Sequence, residues 1–300
     1  MRRQSLVPNR PMRAAHRKAA GHGYYAARRT AFEVGHTVLV LAVLGFILFP
    51  FLVVVSTSLK PIGEVFRSPA TLIPETIVWA NYREIFERIP LTRHILNTLI
   101  IAGAATILNI LIAAPAAYAM ARVAFRGKAL FGLGILITQM FSPVIILIPL
   151  FKVMKVFGLL DSYLALIVAN TAVVVPFTTW MLLGFFRAVP EELEDAAMID
   201  GLSRLQAIFR IVLPLTMPGL ITTSIYAFVA TWNEFIFALV LTPKRDMQPI
   251  TMALYSWEHN NTVEWNFLMA TAVVATLPTI ILFFLVRKRM TAGLMAGAVK

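Results

Sequence analysis

The sequence predicts an all-α polytopic membrane fold with six transmembrane helices, and three observations carry that prediction. Apolar residues make up 59 % of the 300 and charged residues only 14 %, with a mean hydropathy of +0.77, whereas soluble domains hold about 45–50 % apolar residues. The apolar residues gather in runs long enough to cross a hydrocarbon core of about 30 Å. The runs lack the two-residue alternation of a barrel strand, so they read as helices.

The chain opens on a basic stretch, residues 1–34, carrying Arg2, Arg3, Arg10, Arg13, Arg17, Lys18, Arg28 and Arg29. It reads as an irregular tail, and the first apolar run begins too far along for a cleaved signal peptide. Six spans follow at about 37–55, 96–121, 130–153, 163–186, 218–241 and 267–286. Interior prolines (Pro115, Pro143, Pro149, Pro176 and Pro278) predict bends in the second, third, fourth and sixth spans. Alanines in the second span (Ala113, Ala114, Ala116, Ala117, Ala119) allow close helix approach.

Lys and Arg mark the orientation, because they accumulate in cytoplasmic loops. With the N-terminus inside, eighteen of the 27 fall on the inner side and nine on the outer. Both termini and the loop 190–215 are therefore expected in the cytoplasm. The net charge of +12 is read as topological, not as a nucleic-acid surface.

That loop concentrates acid. Glu191, Glu192, Glu194, Asp195 and Asp200 are five of the chain's fifteen carboxylates. Pro190 and the acids suit a helix N-terminus, and Gly201 a helix end. Ser203 with Gln206 spells a capping box, starting a second short helix expected to stop at Pro214. Leu193, Ala196, Ala197 and Met198 form a small apolar patch among the acids, which reads as a docking element for a basic partner groove.

Cysteine is absent. The sequence holds no Gly-rich phosphate loop, since Gly127-Lys128 is followed by Ala129; it holds no HExxH or GxSxG motif, and its five histidines lack ligand spacing. No metal or bound cofactor is expected, and any energy for transport must come from an ion gradient or a partner. Glu234 is the one carboxylate read as lying inside a span. It is either functional or a neighbour-paired group near the outer interface. Asn170, Thr171, Gln139, Trp232 and Asn233 either line a polar pathway or bond between helices.

The residues Asp195-Ala196-Ala197, Gly201, Ile211 and Leu213-Pro214 resemble, in type and spacing, the EAA signature of ABC-importer permeases. The stretch 97–128, "TWNEF" and the tail "TAGLMAGAVK" are similar to the carbohydrate-specific branch, in particular the smaller, six-span permease of maltose-transporter-type heterodimers. The resemblance runs over 35–300 and implies a type I importer permease fold. In that family the loop is a coupling helix on an ATP-hydrolysing subunit. Glu191, Glu194, Asp195, Ala196, Ala197, Met198, Asp200, Gly201, Leu202, Ile211, Leu213 and Pro214 would then contact or brace it. Asp195 stands where the family has glutamate, and Glu194 is in position to compensate. The implied partners are a second permease, two ATPase subunits holding ATP and Mg, and an extracytoplasmic sugar-binding protein, in a bacterial inner membrane. Gly297–Lys300 would touch the ATPases, and the loop 242–265 would reach the binding protein. Two alternatives stay open: an ion-coupled transporter titrating at Glu234, and a non-transporting membrane adaptor.

Overall fold

Alanine and arginine are good helix formers, and the basic N-terminal stretch 1–34 holds seven of each. In the computed structural model it is helical from Met12, not irregular: α1 runs Met12–Ser58 without interruption through Pro50. The structure describes residues 12–259 and 262–298, with side chains for 32–258 and 263–285. It divides into two compact units, 1–54 and 55–300. Within α1, residues Phe32–Ser58 are long and apolar enough to span a membrane.

The second unit begins with a polar-stitched segment. The helices α2 (Ile62–Val65) and α3 (Ala80–Arg88) follow, and Asn81 ties α3 to the turn ahead of α2, its Nδ2 donating to the carbonyls of Ser58 and Lys60 at 2.9 Å each. Glu64 is buried and accepts from Thr71 Oγ1 at 2.9 Å and from the Glu75 amide at 3.0 Å. The Glu75 amide is the main reason its carboxyl sits below the ordinary carboxylate range, with burial opposing.

Helix α4 (Leu91–Arg122) is the second span. It packs most extensively on α7 (Tyr163–Ala188), the fourth. Ala113 and Ala117 are fully buried against Leu182, Leu183 and Phe186, so the expected small-residue stripe does bring two helices close. The pair runs parallel. Tyr163 donates to Asn97 Oδ1 at one end, at 2.8 Å, and Arg122 donates to the Val189 carbonyl at the other, at 2.7 Å.

Parallel neighbours require the chain to return between them, and here expectation and structure differ. The third span is two helices, α5 (Lys128–Thr138) and α6 (Pro143–Val156), bent by 98°. Pro143 does not kink a continuous helix; it starts a new one. It forces Ser142 into extended backbone, and the Ser142 side chain caps α6. Gln139 lies at this break.

After α7 come α8 (Glu191–Ile199) and α9 (Arg204–Ala207). The second short helix does not stop at Pro214. A π-turn over Ile208–Val212 leads straight into α10 (Leu213–Trp232), placing Pro214 in its first turn. The wider turn accommodates the proline ring and its missing donor. The fifth span is accordingly 204–232 and not 218–241; it ends at Trp232, with a separate α11 (Ile236–Leu241) beyond. A 3₁₀ turn Arg245–Met247, α12 (Ile250–Tyr255) and a two-residue antiparallel hairpin, β1 (Glu258–His259) and β2 (Thr262–Val263), lead to α13 (Trp265–Ala298). Among the described residues five helices are long and apolar enough to span, or six with the bent pair counted as one. Ile85, Leu91, Trp232, Ile250, Trp257 and Phe267 close the core where α3, α12 and the start of α13 meet.

Candidate functional site

The stretch 190–215 is built by local capping. Glu191, Glu192 and Glu194 occupy the first turn of α8, at the positive end of its dipole. At the other end Leu202 N–H donates to the Ala197 carbonyl at 3.0 Å and Gly201 N–H to the Met198 carbonyl at 3.1 Å, a Schellman closure. It requires Gly201 in the left-handed region, φ +91°. Ser203 and Gln206 form the expected reciprocal capping box: Gln206 N–H donates to Ser203 Oγ at 3.3 Å and Ser203 N–H to Gln206 Oε1 at 2.8 Å. Two helical segments are thus set at a fixed glycine corner.

The face exposed by this element differs in part from the expected one. Leu193, Asp195 and Ala196 are exposed, Met198 is half-buried, and Ala197 turns inward. Glu194 also turns inward. Its side chain is 7 % exposed and pairs with Arg122, itself 6 % exposed, at 2.5 Å; Tyr118 donates to its second oxygen at 2.7 Å. Glu194 is therefore not free to stand in for the shorter Asp195, because a carboxylate out of water requires these partners. Glu191, 66 % exposed, lies 3.8 Å from Arg122. Gly201 and Asp200 are exposed at the corner, Leu202, Ile211 and Leu213 half-buried, and Pro214 exposed. Ile199, Leu205 and Phe209 enlarge the exposed apolar face, and sequence reading missed all three. Arg122 was missed as well, because sequence reading counts it only among the eighteen inner-side basic residues.

The candidate pathway residues do not converge. Asn170 and Thr171 are buried and bond within α7, to the carbonyls of Leu166 at 2.9 Å and Ile167 at 2.7 Å. Trp232 is buried and donates to the Ala275 carbonyl at 3.2 Å. Asn233 is exposed and bonds back to the Val229 carbonyl. Glu234 sits in the break after α10. Its two oxygens accept from the Phe237 and Ala238 amides at 2.6 and 3.1 Å, and its carbonyl accepts from Thr251 at 2.8 Å. The carboxylate thus takes the free N–H groups at the start of α11. Deep in the spans, both side-chain polar atoms of Asn109 and the hydroxyl of Thr223 lack a partner among the described residues. Neither had been singled out from the sequence.

Similarity to known proteins agrees with this architecture. The chain is 37 % identical to a sulfoquinovosyl glycerol transport system permease protein of Agrobacterium fabrum, over 84 % of this chain and 89 % of that one. It is 35 % identical to a trehalose transport system permease protein of Mycobacterium tuberculosis, over 91 % and 99 %. Its fold matches a subunit of a bacterial ABC transporter involved in import of the acidic polysaccharide alginate. That match has a TM-score of 0.73 at 23 % identity, over 86 % of this chain and 95 % of that one. Residues 110–294 match the family described as binding-protein-dependent transport system inner membrane components. With spans, capped loop and match in agreement, the chain belongs to that family of multi-pass membrane transport components.

Proposed function

We propose that this chain is the permease subunit of an ATP-driven sugar importer, forming half of a translocation pathway beside a second permease. Two ATPase subunits carry ATP and Mg and dock on the exposed face of 190–215, and an extracytoplasmic sugar-binding protein delivers substrate. The carrying observation is the capped helix–glycine–helix element, which presents Leu193, Ala196, Ile199 and Leu205 beside Asp195 and Asp200. Acid-rimmed apolar faces suit a partner groove with basic residues; helices resting on lipid headgroups favour Lys and Arg instead. Carbohydrate as the substrate class is supported by relatives whose names specify sulfoquinovosyl glycerol and trehalose. The Lys and Arg distribution supports a bacterial inner-membrane topology with both termini and 190–215 in the cytoplasm. The ion-coupled alternative is disfavoured, because the Glu234 carboxylate is committed to the start of α11.

The test is ATP-dependent uptake in vesicles containing the complete transporter. Asp195→Lys with Gly201→Asp should abolish uptake, while Glu234→Gln, which keeps an acceptor for one α11 amide, should retain it. The opposite pair of outcomes would sink the docking role and favour ion coupling.

A further inference from the structure

Helix α4 is pinned at both ends by side chains that are buried and specific. At its C-terminal end the Arg122 fork divides: Nε donates to Glu194 Oε1 at 2.5 Å, and Nη2 donates to the Val189 carbonyl at 2.7 Å. Tyr118, one turn earlier, donates to Glu194 Oε2 and stacks edge-on against Phe186 with ring centroids 5.8 Å apart. Lysine cannot serve two acceptors in fixed directions this way, whereas a planar guanidinium can. At its N-terminal end Asn97 Nδ2 donates to the carbonyls of Asp246 and Gln248, at 3.0 and 2.9 Å. Thr98 Oγ1 accepts from the Ile250 amide at 2.7 Å, and both Asn97 and Thr98 are buried.

The anchors at Asn97 and Arg122 lie 25 residues apart on one helix, about 38 Å at 1.5 Å per residue. Pro115 interrupts its hydrogen bonding where flexing would be expected, but Ala113 and Ala117 on either side are fully buried against α7. The weak point is braced.

We propose that Arg122 is the positioning residue that locks α8 to α4, and that α4 carries the position of α8 across the membrane to the 244–250 segment. A displacement of α8 is delivered to α4 through the Glu194 pair. It reaches the opposite face through the Asn97 and Thr98 bonds. The use of this link in transport rests on the docking role proposed for α8; the link itself does not.

Amide hydrogen exchange on the full chain in its native complex, without nucleotide, reads the link directly. Arg122→Lys should raise exchange across 189–200 by about tenfold or more, as a buried carboxylate loses its geometry. It should also raise exchange across 244–250 by about fivefold or more, the low end of coupling between distant sites. Coupling is reciprocal, so Thr98→Ala should loosen 189–200 as well as 244–250. Arg122→Glu combined with Glu194→Arg should recover much of the protection in both segments. Exchange confined to the mutated end in both Arg122→Lys and Thr98→Ala would overturn the proposal. Each variant is compared with the parent in the same complex, so the difference between them reads the link. Failure of the docking role would appear instead as a missing cross-link from α8, with the exchange result unchanged.

Discussion

Replacing Gly201 with alanine isolates the backbone requirement of the corner between α8 and α9. A Cβ built there meets nothing within 4 Å, so the substitution creates no clash; the left-handed φ of +91° is the sole penalty. For an L-residue with a side chain that conformation costs about 1–2 kcal/mol, or roughly a 5- to 30-fold rise in local opening. The amides that report it are those of Gly201 and Leu202, bonded to the Met198 and Ala197 carbonyls. Hydrogen exchange on the purified transporter should show both accelerating by that factor in Gly201→Ala. Gly201→Asn should show a smaller effect, because asparagine enters the left-handed region more readily. Uptake should fall in the same order, since an opened corner no longer holds the two helical faces at one angle. Equal exchange in the alanine variant and the parent, or an asparagine variant worse than alanine, would refute the strain argument.

Two further outcomes follow from the same structure. Gly219→Ala would place a Cβ 2.3, 2.6 and 2.7 Å from atoms of Phe185 near the base of its ring; repacking α10 against α7 should cost about 1–3 kcal/mol, read as a lower thermal midpoint in detergent. The Glu64 carboxyl is held below its ordinary range chiefly by the Glu75 amide, so its contribution is present above that range and is lost as pH falls through the folded value. An environment-sensitive dye on Ile73→Cys, in a chain with no other cysteine, should report loosening of 64–75 only below the ordinary carboxylate pKa, and Glu64→Gln should remove that acid transition.

The parts of the site legible in the sequence are those set by near neighbours in the chain. The acids at the start of α8, Gly201 and the Ser203–Gln206 box each act over one to five residues, and each signal could be read directly. The inward turn of Glu194 could not be read. A nine-residue helix has no long periodicity to mark its inner face, and the partner that decides it, Arg122, lies 72 residues away. Apolar runs located most spans but hid their breaks. Pro143 following Ser142 is a helix-start signal, yet it sits in a run so apolar that a kinked span was the simpler reading. Hydropathy likewise carried the fifth span through Asn233–Phe235, where Glu234 caps a new helix, and began it too late. The π-turn at Ile208–Val212 lets the chain pass Pro214 without stopping, and only the backbone shows that.

The central claim is that the outer face of α8 meets an ATPase, and Ala196, exposed on that face, tests it most directly. With no native cysteine in the chain, Ala196→Cys carries one photo-cross-linker in native membranes, and Phe157→Cys, exposed just beyond α6, serves as the control. The account predicts a single adduct from position 196 whose peptides carry a Gly-x-x-x-x-Gly-Lys-Ser/Thr nucleotide loop, and none from position 157. No nucleotide-binding protein in the adduct at 196, or the same adduct from both positions, would contradict it.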